Sequence, residues 1–109
     1  DEVLVSVSTT IMDIFGQDAT VARYGGEEFI VLLPETGLEQ GVRQAETLRL
    51  AVESQPVENP LDESEVMVTL SAGVVEGHQD SDLEALLNQA DEALYEAKSK
   101  GRNCVVAHR

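Results

Sequence analysis

Two glycines followed by two glutamates, Gly25-Gly26-Glu27-Glu28, interrupt an otherwise β-prone stretch and oblige the chain to double back on itself. Residues 20–24 and 29–33 flank them as strand-forming runs, and Pro34 stops the second. Glycine reaches the positive φ that tight turns need without a steric penalty, so the pattern predicts an antiparallel hairpin with the glutamates at its tip. Neighbouring side chains on a strand point to opposite faces, but at a turn two adjacent carboxylates can converge on one ion. Hard cations such as Mg2+ take one or two carboxylates plus substrate phosphates, which makes the tip a candidate metal and phosphate site. The plain alternative is a solvated turn, with glycine serving geometry and glutamate serving solubility. Spacing alone leaves both open.

The surrounding pattern supplies a scaffold. Val3, Leu4, Val7, Ile11 and Ile14 are spaced for one apolar helical face, ended by Gly16 and a loop over 16–18. That helix has no cap-rich entry, which predicts that the sequence begins partway into a domain. Thr36-Gly37-Leu38-Glu39 has the form of a capping box, with the apolar stripe Leu38, Val42, Ala45, Leu48 and Val52 after it. Glu39 and Arg43 stand at i,i+4 on its outer face. A polar loop spans 55–65 and a strand is predicted over 66–75. Ser81-Asp82-Leu83-Glu84 reads as a second capping box, opening a helix that buries Leu83, Leu86, Leu87, Ala90, Leu94 and Ala97. Gly101 ends that helix and 103–107 is a last strand. The sum is one α/β (α+β) domain over 1–109, with a mainly antiparallel sheet and its helices on one face.

Composition narrows the partners. With 109 residues the chain can bury a modest core, and its 42% hydrophobic content is that of a folded domain. The formal net charge of -14, with only seven Lys and Arg, argues against nucleic-acid binding, because clustered cations must grip a phosphate backbone. An acidic protein can still hold a polyphosphate when divalent cations intervene. Cys104 is the only cysteine and sits in an apolar run, so it reads as a buried structural thiol. No apolar stretch has the length of a membrane span and no signal peptide is present, which predicts a cytoplasmic domain. His78 and His108 read as exposed loop and terminal residues.

Four motif blocks then carry a resemblance. Arg23-Tyr24-Gly25-Gly26-Glu27-Glu28-Phe29 resembles the signature of bacterial GGDEF domains in its GGEEF variant. Ala45-Glu46-Thr47-Leu48-Arg49 resembles the family's A-E-x-L-R helix, and Val68-Thr69-Leu70-Ser71-Ala72-Gly73-Val74 its V-T-x-S-x-G-V strand. Ala90-Asp91-Glu92-Ala93-Leu94-Tyr95-Glu96-Ala97-Lys98 and Gly101-Arg102-Asn103 match its ending. The blocks stand in the family's order across nearly the whole chain.

The resemblance implies a diguanylate cyclase of palm-like fold, akin to class III nucleotide cyclases. Two domains, each holding one GTP, meet as a two-fold homodimer and form cyclic di-GMP and two pyrophosphates with Mg2+ (or Mn2+). By position, Glu27 is a metal ligand and general base, and Glu28 the second metal carboxylate. Gly25 and Gly26 form the phosphate-proximal turn, Lys98 and Arg102 hold the terminal phosphates, and Asp1 recognises guanine. At i and i+4, Lys98 and Arg102 share a helix-end face; cations placed against the helix dipole are the plain alternative. For Asp91 and Tyr95 only helix packing and capping suggest themselves.

The family also carries an upstream strand with a metal-binding Asp, then an F-K-x-x-N-D segment whose Asn reads guanine. Neither is in these 109 residues, which predicts a domain lacking its first strand and inactive alone. Gly16 and Ala19 stand where the inhibitory R-x-x-D product site would be, which predicts no product inhibition there. An N-terminal sensor or receiver domain is implied for the whole protein, and a membrane anchor there is compatible with the resemblance. The competing readings are a degenerate module that binds GTP or a protein partner to regulate a neighbour, and an unrelated ferredoxin-like binding domain. Intact Glu27 and Glu28 favour the enzyme over the first, and the four ordered blocks defeat the second.

Overall fold

The computed structural model of the chain describes residues 2–109, so Asp1 lies outside the described residues. The elements run α1 (Glu2–Phe15), β1 (Thr20–Tyr24), β2 (Glu28–Leu32), α2 (Leu38–Glu53), β3 (Val57–Glu58), β4 (Glu65–Val66), β5 (Ala72–Val74), α3 (Leu83–Ser99) and β6 (Val105–Ala107).

Of the five apolar residues expected on one face of α1, Val7, Ile11 and Ile14 join the first core, while Leu4 lines a cleft beside the hairpin. Ile11 is buried against Leu48 and Val52 of α2, with Val7, Ile14 and Phe15 packed around them. Gly16, at φ 76°, stops the helix in a conformation that costs a side-chain-bearing residue about 1–2 kcal/mol. The hairpin closes the same core from the other side. β1 and β2 pair antiparallel from Thr20↔Leu32 to Tyr24↔Glu28. Strand alternation therefore turns Val21, Phe29 and Val31 toward α1 and α2, where they join the cluster.

A second core lies across β5 and β6. These strands pair parallel, Gly73 opposite Val106, and α3 is the crossover between them. Val106 packs with Ala93 and Ala97, the latter fully buried. At Gly73 a Cβ would stand 2.3 Å from the Ala90 carbonyl oxygen and 2.5 Å from the Leu94 nitrogen, so only glycine lets α3 approach. The next residue, Val74, turns the other way and brings its Cγ1 to 3.4 Å from a Cβ placed on Gly41 of α2. α2 and α3 thus cover opposite faces of β5, not one face as the pattern suggests.

Two of the three strand pairings are antiparallel, β1 with β2 and β3 with β4, each a separate two-stranded ladder among the described residues. The strand expected over 66–75 is divided: Glu65–Val66 pairs with Val57–Glu58, and only Ala72–Val74 pairs with β6. Between them Val68 and Leu70 still pack into the first core, so apolar alternation persists where no ladder does. The last strand is shorter than 103–107 because Asn103, at φ 50°, is not extended.

Both capping boxes fail. The α2 N-cap is Gly37 without a side-chain cap, and Thr36 Oγ1 donates instead to the Pro34 carbonyl at 3.0 Å. The Leu38 N–H finds a distant acceptor, Glu76 Oε1, at 3.1 Å. In α3 the N-cap is Asp82, one residue later than expected, accepting from the Glu84 N–H, while Ser81 Oγ accepts from the His78 N–H. Leu83, expected buried, is 55% exposed in the first turn, and the buried residues of α3 are Ala93 and Ala97.

Candidate active site

The hairpin turns over Gly25, Gly26 and Glu27, so Glu28 is already the first residue of β2 and faces Tyr24 across the ladder. Gly25 alone supplies positive φ, at 74°. Gly26 takes no left-handed φ and has open space where a Cβ would sit. Arg23 Nη2 donates to the Gly26 carbonyl at 2.7 Å and braces the turn. Glu27 is exposed at the tip and makes no hydrogen bond or ion pair among the described residues.

The end of α3 comes to the hairpin at the start of β2. Lys98 Nζ lies 3.8 Å from Glu28 Oε1, both side chains being partly exposed at 38% and 43%. The structure thereby joins a predicted phosphate-binding cation to a predicted metal carboxylate. Arg102 is placed differently from the sequence argument. α3 ends at Ser99, so Lys98 and Arg102 do not share a helical face. A Schellman motif closes the helix instead: the Arg102 N–H donates to the Ala97 carbonyl at 3.1 Å and the Gly101 N–H to that of Lys98 at 3.4 Å. Gly101, Arg102 and Asn103 then take φ of 108°, 66° and 50° in succession. For the two non-glycine residues this costs about 1–2 kcal/mol each and persists only where neighbours enforce it.

The enforcing neighbours are Arg49, Ser71 and Asn103 of the motif blocks together with Glu53, none of which has a site role assigned from the sequence. Arg49 of α2, 15% exposed, donates from Nη1 to Asn103 Oδ1 at 3.0 Å. Asn103 Nδ2 donates to Glu53 Oε2 at 2.6 Å, and the Asn103 N–H to Ser71 Oγ at 3.0 Å. Glu46 completes the set, accepting from Arg49 Nε at 3.0 Å. That bond holds the Glu46 carboxyl below its ordinary value, with burial opposing, and pushes the Arg49 guanidinium up. An arginine on an amphipathic helix, flanked by glutamates at i-3 and i+4, is the signal by which sequence could have found it.

The remaining candidates are more scattered. Asp1 lies outside the described residues. Gly16 and Ala19 sit at the far end of β1 from the turn. Asp91 and Tyr95 are exposed on α3, Tyr95 at 74%. Cys104 is half-buried and its thiol donates to the Ala97 carbonyl at 3.4 Å. His108 is not an exposed end: it is half-buried, its N–H donates to the Val74 carbonyl at 2.7 Å, and its Nε2 lies 3.4 Å from Glu92 Oε2. A cleft between α1 and the hairpin is lined by Leu4, Val5, Met12, Val21 and Phe29, with Ser8, Thr9 and Arg23 as its polar groups. Among the described residues no three His, Cys, Asp or Glu gather to hold a metal ion. Glu27 at the turn and Glu28 at the start of β2 still suit Mg2+, which keeps water and substrate oxygens as its other ligands.

Comparison with known proteins gives the family and the fold. The family described as "Diguanylate cyclase, GGDEF domain" matches residues 1–104. The chain is 36% identical over 107 residues to the diguanylate cyclase DgcM of Escherichia coli strain K12, covering 98% of this chain and 25% of that protein. The chain spans 19% of the response regulator PleD of Caulobacter vibrioides and 32% of the diguanylate cyclase VdcA of Vibrio cholerae. The GGDEF domain of DgcB from Caulobacter crescentus, solved in complex with c-di-GMP, superposes with a TM-score of 0.92 at 29% identity, over 98% of this chain and 61% of that one. The active GGEEF domain of a diguanylate cyclase from Vibrio cholerae superposes at 0.83 with 32% identity, over 100% of this chain and 68% of that one. A hairpin tipped by Gly25-Gly26-Glu27-Glu28, met by the end of α3 and matched along 104 residues, makes this chain a member of the GGDEF domain family of diguanylate cyclases.

Proposed function

We propose that this chain is catalytic sequence of a diguanylate cyclase, which joins two GTP into cyclic di-GMP and releases two pyrophosphates. The observation that supports it most is the Lys98–Glu28 contact, because it draws a phosphate-binding cation to the carboxylate tip although the two belong to different elements. Lys98 and Arg102 bind the terminal phosphates of GTP. Gly25 and Gly26 let the phosphates approach the turn, and Glu27 receives the proton of the attacking 3′-hydroxyl. The hydroxyl oxygen bonds to the α-phosphorus of the partner's GTP while the bond to the bridging oxygen breaks and pyrophosphate leaves. Mg2+ or Mn2+ held by Glu27 and Glu28 would neutralise phosphate charge and make the hydroxyl more acidic. A second copy of the chain supplies the other GTP, and two-fold symmetry aligns the reactants. The cleft beside α1 is the place for the guanine base, next to the helix that Asp1 precedes.

Further parts of the reading come from the family. The family's metal-binding Asp is not among these 109 residues, and Glu27 and Glu28 are the metal carboxylates that they carry. Gly16 and Ala19 provide no R-x-x-D product site. The family resemblance places the domain in the cytosol; none of the described helices is long and apolar enough to cross a membrane. A sensor or receiver domain governs it in the whole protein. Turnover of GTP by the full-length protein, with Glu27→Gln beside it, tests the proposal. Cyclic di-GMP made by the parent and lost in the variant supports it; equal turnover by both defeats it.

A further inference from the structure

We infer that the polar network of Arg49, Glu53, Ser71 and Asn103 is a positioning device that holds Arg102 in its phosphate-binding conformation. The inference rests on the proposed role of Arg102 as a phosphate ligand. Arg102 has φ 66° and succeeds the helix-closing Gly101, so neither helix nor strand geometry fixes where its guanidinium projects. Its neighbour Asn103 is held by two other elements. α2 supplies Arg49 Nη1 to Asn103 Oδ1 at 3.0 Å and Glu53 Oε2 to Asn103 Nδ2 at 2.6 Å. The segment before β5 supplies Ser71 Oγ to the Asn103 N–H at 3.0 Å. The Schellman bond from the Arg102 N–H to the Ala97 carbonyl fixes the other side.

The side-chain chemistry suits this task. An amide is the group that can accept from an arginine and donate to a glutamate at once, so Asn103 reads both neighbours in one orientation. Arg49 is fixed in turn by Glu46, which accepts from Nε at 3.0 and 3.1 Å, and by Glu53 Oε1 at 3.9 Å. A positive φ is tolerated best by asparagine among residues with a side chain, which fits Asn103 but not Arg102. The left-handed turn at Arg102 is therefore imposed by neighbours. Residues of three motif blocks, Ala45 to Arg49, Val68 to Val74 and Gly101 to Asn103, thereby meet in one hydrogen-bonded network.

The test uses the full-length protein. Asn103→Gly keeps the left-handed backbone accessible and deletes both side-chain bonds; Ser71→Ala removes one bond and perturbs folding least. Binding of inorganic pyrophosphate by titration calorimetry and the KM and kcat for GTP are measured, each also with Arg102→Ala. Pyrophosphate binding is expected to weaken about tenfold or more in Asn103→Gly and less in Ser71→Ala, with KM rising more than kcat falls. In the Arg102→Ala background the same changes are expected to cost nothing further, since a device acting through Arg102 has nothing left to position. Undiminished binding in both variants overturns the inference. So does a loss of equal size with and without Arg102, which marks a general folding effect. A parent that binds no pyrophosphate overturns the phosphate site itself and with it the proposed function.

Discussion

Lys98 Nζ stands 3.8 Å from Glu28 Oε1, joining the last turn of α3 to the first residue of β2. The pair is partly exposed, and exposed ion pairs contribute about 0–1 kcal/mol. Its stability value is too small to explain why the helix end and the hairpin meet there.

Lys98→Ala separates the two roles. Loss of the pair is expected to change the unfolding free energy by less than about 1 kcal/mol. A charge-assisted bond to phosphate is worth about 1.5–3 kcal/mol, so KM for GTP is expected to rise about 10- to 100-fold. Denaturant melts and steady-state kinetics on the full-length protein measure both. A large stability loss with an unchanged KM would make Lys98 a structural residue.

The two turn glycines are expected to respond differently to alanine. Gly25 sits at φ 74°, so Gly25→Ala costs about 1–2 kcal/mol of strain despite the open space around it. Gly26 has neither positive φ nor a neighbour within 4 Å. Gly26→Ala is therefore expected to be nearly neutral or slightly stabilising, by up to about 1 kcal/mol, because it restricts the unfolded chain. If phosphates approach this turn, the same methyl group still weakens GTP binding. Stability retained and nucleotide binding lost, read by thermal melts and calorimetry, is the expected combination for Gly26.

Gly73→Ala tests the packing beneath the site. The added Cβ would meet the backbone of α3 at 2.3 and 2.5 Å, and backbone has no rotamer by which to retreat. Overpacking of this kind costs about 1–3 kcal/mol or more, so a clear fall in the urea midpoint is expected. Gly41→Ala is the control, since its nearest neighbour is the Val74 side chain at 3.4 Å and can shift. Equal effects from the two substitutions would contradict the close approach of α3 to β5.

The hairpin, the helices α1, α2 and α3, and the membership of the family were legible because each rests on local signals: glycine at a turn, period 3.6 in α1 and α2, ordered motif blocks. What escaped depends on distant partners. No spacing rule announces that the Leu38 N–H is capped by Glu76, which leaves Thr36 free to bond Pro34. The run 66–75 alternates like one strand, yet ladder partners exist only at its two ends. Helical spacing puts Lys98 and Arg102 on one face, whereas Gly101 ends the helix first and the Asn103 network decides the geometry. The tip carboxylates were visible as residues; the cation that reaches Glu28 was visible only as a motif member.

Acid should loosen the scaffold from the α2 side. The hydrogen bond from Arg49 holds the Glu46 carboxyl below its ordinary value of 4.5, burial opposing and the guanidinium charge adding to the effect. Arg109 does the same to Glu39, and bonds from Ser64 lower Asp62. A carboxyl with a folded pKa below its unfolded one contributes stability above the unfolded value, and loses it as pH falls through the folded value. The urea midpoint is therefore expected to hold from pH 7 to about 5 and to drop below about 4.5. Glu46 is partly solvated, so its share is about 1 kcal/mol or less. Glu46→Gln should accordingly start lower at pH 7 and lose less on acidification than the parent, and the two curves should converge near about pH 3. Parallel curves would show that the Glu46–Arg49 pair takes no part in the acid response.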